Sequence, residues 1–169
     1  MNKAIFFDRD GVLNELVERN GGFYSPRKLS DFKIINNAAK VTKKTNLLGF
    51  VNIVISNQPD VSRGHMSKKE LEKMTDRLSN KLSLDDFFYC IHDDSDLCNC
   101  RKPAAGLLEQ AIKKWDIDLK RSLLIGDTWK DAEAANKVNV KCLLLDRVYN
   151  LNYKKAERIK ELKDIFNYL

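Results

Sequence analysis

No apolar run in this sequence approaches the roughly 20 residues that a membrane-spanning helix needs. The stretch behind the first residues, Ala4-Ile5-Phe6-Phe7, is too short for the core of a secretory leader. Neither a membrane protein nor a secreted one is expected, and a cytoplasmic location follows. Internal repeats, low-complexity tracts and linkers are missing too. Residues 1–169 therefore read as one domain, large enough to bury a core without disulfides. The net charge is +6, yet no nucleic-acid-binding signature accompanies it. The basic residues from Lys154 to Lys163 are interleaved with Glu157 and Glu161, which reads as a solvated helix face. The surplus charge would attract a small anionic substrate, and a monomer without nucleic-acid or membrane partners is expected.

Histidine is scarce as well: there are two, and His92 lies among three of the four cysteines. Cys90, His92, Cys98 and Cys100 fall within eleven residues, a density that in a reducing compartment points to metal rather than disulfides. These are the ligand types zinc prefers. Four protein ligands with no open position make a structural site. The loop at about 90–102 would then be pinned at its base, delivering Arg101 and Lys102 immediately after the last ligand. Cys142 lies in a predicted strand and reads as a small core residue, and His65 as a loop residue.

What is present is an alternation of strand and helix patterns. Apolar or β-branched runs predict strands over 3–7, 50–55, 87–91, 122–125 and 140–145. Helices are expected over 38–48, ended by Gly49, and from the capping-box sequence Ser67-Lys68-Lys69-Glu70 to about Leu82. Further helices are expected over 104–115 and 131–137, with an amphipathic one over 153–168 closing the chain. Such alternation predicts an α/β fold: a Rossmann-like three-layer αβα sandwich around a parallel sheet. Ligands of such sheets bind beyond the carboxyl ends of the strands.

Four polar motifs stand at or after those ends. Asp8-Arg9-Asp10-Gly11 offers one carboxylate to attack and another to handle a proton, or only an Asp-Gly turn. Magnesium held by such carboxylates would offset their repulsion of a phosphate. Ser56-Asn57-Gln58 could hydrogen-bond phosphate oxygens, or be a plain polar loop. Lys102 could neutralise a phosphate or be a surface lysine at a helix start. Asp127 and Asp131, four apart, could face one metal or merely cap a helix.

Taken together, Phe7-Asp8-Arg9-Asp10-Gly11-Val12-Leu13-Asn14, Ile55-Ser56-Asn57-Gln58, Lys102 and Gly126-Asp127-Thr128-Trp129-Lys130-Asp131 resemble the four motifs of the haloacid dehalogenase superfamily. The resemblance spans residues 3–147. It implies a magnesium-dependent phosphomonoester hydrolase in which Asp8 forms an aspartyl-phosphate and Asp10 serves as general acid and then base. It also implies that Ser56 and Lys102 stabilise the transferring phosphoryl group. Asp8, the Asp10 carbonyl and Asp127 would hold magnesium, with Asp131 behind them. Within the superfamily, the cysteine loop, Asn57-Gln58 and Arg101-Lys102-Pro103 resemble the zinc-bearing group of heptose bisphosphate and histidinol-phosphate phosphatases. Arg63-Gly64 and Gly106 resemble the heptose enzymes more, which implies action on a 7-phosphate, with Asn57, Gln58, Arg63 and Arg101 contacting substrate. Pro59-Asp60 and Thr128 depart from the heptose pattern, and the segment 15–31, expected as a substrate-contacting loop, matches it poorly. Histidinol-phosphate hydrolysis is the alternative, and a zinc-stabilised binding protein without activity the non-enzymatic one. No insert is large enough for a separate cap domain, so an open site is expected.

Overall fold

A computed structural model describes residues 1–169. Along the chain run β1 (Lys3–Phe7), β2 (Val17–Arg19), β3 (Gly22–Tyr24), α1 (Ala38–Leu47), β4 (Phe50–Asn57), α2 (Lys68–Lys81) and β5 (Asp86–Cys90). There follow α3 (Gly106–Trp115), β6 (Leu123–Gly126), α4 (Trp129–Lys137), β7 (Lys141–Leu145), β8 (Glu157–Ile159) and a 3₁₀ segment, Leu162–Asn167. Six strands form one parallel sheet in the order β5-β4-β1-β6-β7-β8, while β2 and β3 make a separate hairpin.

The sequence of β1 explains its central place. Ala4 to Phe7 are all fully buried, as a strand covered on both faces must be. Its alternate residues enter two cores. Ile5 and Phe7 pack with Val41 of α1, with Leu71, Met74 and Leu78 of α2, and with Leu162 and Ile165. Ala4 and Phe6 pack with Leu107, Leu108 and Ala111 of α3 and with Ala134 and Ala135 of α4. Three layers result. The chain leaves β1 toward β4 on one side and later returns to β6 on the other, so the crevice at their carboxyl ends is a topological switch point.

The expected helix over 153–168 is not formed. Residues 157–159 pair instead with Leu143–Leu145 of β7, covering its open edge, and Ile159 is buried there. A second short element starts at Glu161, which caps it together with Asp164. Leu162 and Ile165, three residues apart on one face of the 3₁₀ turn, are buried beside Ile159 of β8. The lysines of this segment are solvated as expected, but not on a helix face. At α2 the expected capping box is half present. Ser67 accepts from the Glu70 amide, whereas the Glu70 carboxylate receives Leu29 N (2.8 Å) and Lys73 (2.8 Å).

Within 15–31, β2 and β3 form a hairpin that the strand reading overlooked. Its turn is Asn20-Gly21, both at positive φ (50° and 75°), the type I′ chemistry that this dipeptide favours.

Candidate active site

Asp8 is fixed by the sheet. Its amide donates to Ile125 O (2.9 Å), prolonging the β1–β6 ladder by one residue. The carboxylate Oδ1 takes the Arg9 amide (2.8 Å) and lies 3.0 Å from Lys102 Nζ. Lys102 comes from twelve residues beyond β5 and is locked by Asn57. The Asn57 amide donates to Lys102 O (2.9 Å), and Lys102 N donates to Asn57 Oδ1 (2.9 Å). The ammonium also reaches Ile55 O (2.9 Å) and Asp131 Oδ1 (2.5 Å). Burial alone would depress its pKa, but Asp131 and Asp8 outweigh that and hold it above the ordinary lysine range. Lys102 is therefore a dependable cation.

Burial, reinforced by Asp131 and Asp10 and opposed by Lys102, pushes the Asp8 carboxyl up to about 6. Burial together with the charges of Asp8 and Asp131 raises Asp127 well above the carboxylate range. Crowded carboxyls of this kind are relieved by protons or by a cation.

Asp10 faces four donating groups from the protein. Arg9 Nε (3.0 Å) and Asn14 Nδ2 (2.9 Å) meet Oδ1, while Gln58 Nε2 (2.7 Å) and Arg9 Nη2 (3.1 Å) meet Oδ2. Arg9 is fully buried, its guanidinium between the rings of Phe32 and Tyr89. Gly11 then turns the chain at φ +84°. A side chain there would run into the Asp127 carboxylate.

Asp127 follows β6 and is 2% exposed. Oδ2 accepts from the Tyr149 hydroxyl, and Oδ1 is buried without any partner. Ligand oxygens of Asp8, Asp127 and Asp131 all lie within 4.8 Å of one another. Both Asp131 oxygens are engaged, Oδ1 by Lys102 and Oδ2 by Thr128 Oγ1 (2.7 Å) and two main-chain amides. A buried carboxylate oxygen with no donor beside a second acid is what a hard divalent cation requires. The residues present fit one.

These groups open into a cavity of about 630 Å³. Asp8, Asp10, Ser56, Asn57, Arg101 and Lys102 line it, with Gly22, Phe23 and Ser25 of the hairpin region opposite. Two expected contacts lie elsewhere. Gln58 is 1% exposed and its amide serves Asp10 and Ser56 Oγ (3.0 Å). Arg63 is bound to Asp93 (2.5 Å) and Asp94 (3.1 Å) outside the cavity. Arg101 reaches the cavity while held by Asp94 Oδ1 (2.7 Å). Asp60, a departure from the heptose pattern, has a partner of its own in Arg27 (2.7 and 3.3 Å). Tyr149 carries no sequence signal of its role, and Arg9 and Asn14, though inside the first motif, carry none that ties them to the Asp10 carboxylate. The hairpin had one, in Asn20-Gly21.

The thiol cluster forms from one stretch of chain. Cys100 Sγ is 3.1 Å from Cys90 Sγ, 3.4 Å from Cys98 Sγ and 3.2 Å from His92 Nδ1. Cys90 Sγ is 3.6 Å from Cys98 Sγ. Ligands on a tetrahedral zinc with bonds of about 2.3 Å would stand about 3.8 Å apart. Burial and the neighbouring thiols push Cys90 up to about 12. At Cys98, desolvation is outweighed by hydrogen bonds to the main chain of Arg101 and to Cys100, which draw its thiol down to about 7. The set suits one ion.

Fold and site together are those of a hydrolase with an aspartate just beyond the carboxyl end of its first strand and a cluster of carboxylates beside it. Residues 99–148 match the family described as HAD-hydrolase-like. The chain is 36% identical over 150 residues to D-glycero-beta-D-manno-heptose-1,7-bisphosphate 7-phosphatase of Helicobacter pylori strain J99, covering 85% of this chain and 83% of that protein. It is 35% identical to the D-glycero-alpha-D-manno enzyme of Photorhabdus laumondii, covering 85% and 82%. A crystal structure of D,D-heptose 1,7-bisphosphate phosphatase from B. bronchiseptica, complexed with magnesium and phosphate, superposes with a TM-score of 0.84. That match has 20% identity and covers 99% of both chains. The chain belongs to the haloacid dehalogenase family of phosphatases. No helix of the structure is long and apolar enough to cross a membrane.

Proposed function

We propose that this chain is a magnesium-dependent phosphomonoester hydrolase working through an aspartyl-phosphate on Asp8, with the 7-phosphate of a heptose 1,7-bisphosphate as its substrate. The observation that carries the chemistry is the convergence of Asp8 and the unpartnered Asp127 Oδ1, at the ends of the adjacent strands β1 and β6, with Lys102 from the loop beyond β5. The substrate rests on the curated relatives, whose names include both anomers at 36% and 35% identity, so neither anomer is assigned.

In this reading Asp8 Oδ attacks phosphorus in line, and the bond to the leaving oxygen breaks. Asp10 gives that oxygen its proton. It then takes a proton from the water that attacks the phosphorus of the acyl phosphate, releasing inorganic phosphate and Asp8. The donors from Arg9, Asn14 and Gln58 fix the orientation of the Asp10 carboxyl beside the cavity. Lys102 neutralises the transferring group, and Ser56 Oγ offers it a hydrogen bond. Magnesium, held by Asp8, the Asp10 carbonyl and Asp127, would screen the charge between nucleophile and phosphate, with Asp131 behind fixing Lys102. Arg101 and Asn57 border the cavity on the substrate's side. Zinc on Cys90, His92, Cys98 and Cys100 would pin the loop that supplies Arg101 and Lys102. We place this chemistry in a single-domain, cytoplasmic monomer.

The test is a magnesium-supplied panel of heptose bisphosphate and histidinol phosphate. The heptose should lead in kcat/KM by tenfold or more. A tenfold preference for histidinol phosphate would overturn the substrate, and metal-independent turnover would overturn the chemistry.

A further inference from the structure

Tyr149 stands where no catalytic motif places a residue, in the segment between β7 and β8, yet it touches the acid of the cation site. Its hydroxyl donates to Asp127 Oδ2, leaving Oδ1 as the buried oxygen without a partner. The ring borders the main cavity and packs on Phe23 of the hairpin, with centroids 5.4 Å apart and planes tilted by 45°.

The segment carrying it is anchored on both sides. Arg147 Nη2 donates to Gly11 O (2.8 Å). Asn150, itself 6% exposed, donates to Asp127 O (2.7 Å) and Leu145 O (2.7 Å). Side chain and main chain of Asp127 are thus held by two consecutive residues. The turn at Gly11 closes around the same carboxylate, because a side chain there would meet both Asp127 and Tyr149 Oη.

A carboxylate with one oxygen fixed by a donor presents the other in a defined direction, and such outer partners of a ligand change metal affinity by about 10- to 100-fold. From this geometry we infer that Tyr149 is a positioning residue: its hydroxyl aims Asp127 Oδ1 at the cation, and its ring ties that acid to the hairpin over the cavity. The inference rests on the magnesium reading of the site and goes beyond it, since Tyr149 belongs to none of the four motifs.

The experiment is calorimetric titration of the full chain with magnesium alone, on wild type, Tyr149→Phe and Asp127→Asn. Circular dichroism and metal-free melting confirm the fold of each. Tyr149→Phe keeps the ring against Phe23 and removes only the donor. Its affinity should fall about tenfold, and the magnesium concentration for half-maximal turnover should rise by the same factor. A general packing role would not produce that matched shift. Unchanged or tighter magnesium binding in Tyr149→Phe, alongside clear loss in Asp127→Asn, would overturn the role of Tyr149 alone. Unchanged binding in Asp127→Asn would instead remove the reading of the site on which the inference rests.

Discussion

The two donor clusters of this protein are built in opposite ways. The thiol cluster comes from one continuous stretch, Cys90 to Cys100, and its closeness follows from sequence spacing. The carboxylate cluster joins Asp8 after β1, Asp127 after β6 and Asp131 on α4, with Lys102 brought in from beyond β5. Only the strand order puts β1 beside β6 and β4. Local spacing makes the one cluster, and sheet topology makes the other. One should therefore be breakable without the other.

The largest effect is expected for Asp8→Asn. Turnover should fall by at least about 10³-fold while the fold and the thiol cluster persist, as steady-state rates, circular dichroism and elemental analysis would register. Residual turnover within tenfold of wild type would take the nucleophile's role from Asp8.

The converse is Cys100→Ser. It opens the closed four-ligand set, so bound zinc should drop from about one per chain and the melting temperature should fall by about 10 °C. Turnover should fall only about tenfold, because Asn57 still clasps the Lys102 main chain. A zinc-free protein with unchanged melting and rate would show that the thiol cluster holds nothing.

The pH response separates the clusters further. In the unfolded chain the Asp8 carboxyl has its ordinary value of 3.8, and burial, which disfavours its charge, pushes it up to about 6 in the fold. The folded state thus holds the proton more tightly. This contribution to stability is full below pH 4 and is lost as pH rises through 6. Asp127 shifts in the same direction. Magnesium should consequently raise the melting temperature more at pH 7.5 than at pH 5, read by differential scanning fluorimetry. An equal rise at both would mean that the cation does not relieve the crowding of these acids.

A smaller effect is expected at the hairpin. Phe23→Ala should raise KM about three- to tenfold with a lesser change in kcat, since Phe23 borders the cavity and packs on Tyr149 but is not one of the clustered carboxylates. A kcat loss with KM intact would place Phe23 with the reacting groups instead.

What the sequence disclosed follows the same division. Strands buried on both faces, such as Ala4 to Phe7, announce themselves as unbroken apolar runs, and the sheet and its switch point follow from their alternation with helices. Cys90, His92, Cys98 and Cys100 were legible because their spacing is short. The C-terminal segment was not. Ile159, Leu162 and Ile165 fit a helical stripe, but the open edge of β7, a tertiary fact, draws Ile159 into β8 and leaves Leu162 and Ile165 to a 3₁₀ turn. Tyr149 and Arg9 were hidden for a related reason. Tyr149 meets Asp127 across 22 residues, and Arg9 sits between Phe32 and Tyr89, contacts that no local pattern encodes. Gln58 was in the right motif, but its side chain turned inward to Asp10, because the strand end points it at the buried acid rather than at the cavity.

The most direct measurement is a crystal structure of the full chain grown with magnesium and beryllofluoride, which mimics a phosphoryl group on a carboxylate. The adduct is predicted on Asp8, within reach of Lys102, with the cation touching Asp8, the Asp10 carbonyl and Asp127 Oδ1. An adduct on another carboxylate, or a cation seated between Asp127 and Asp131 with Asp8 free, would contradict the account.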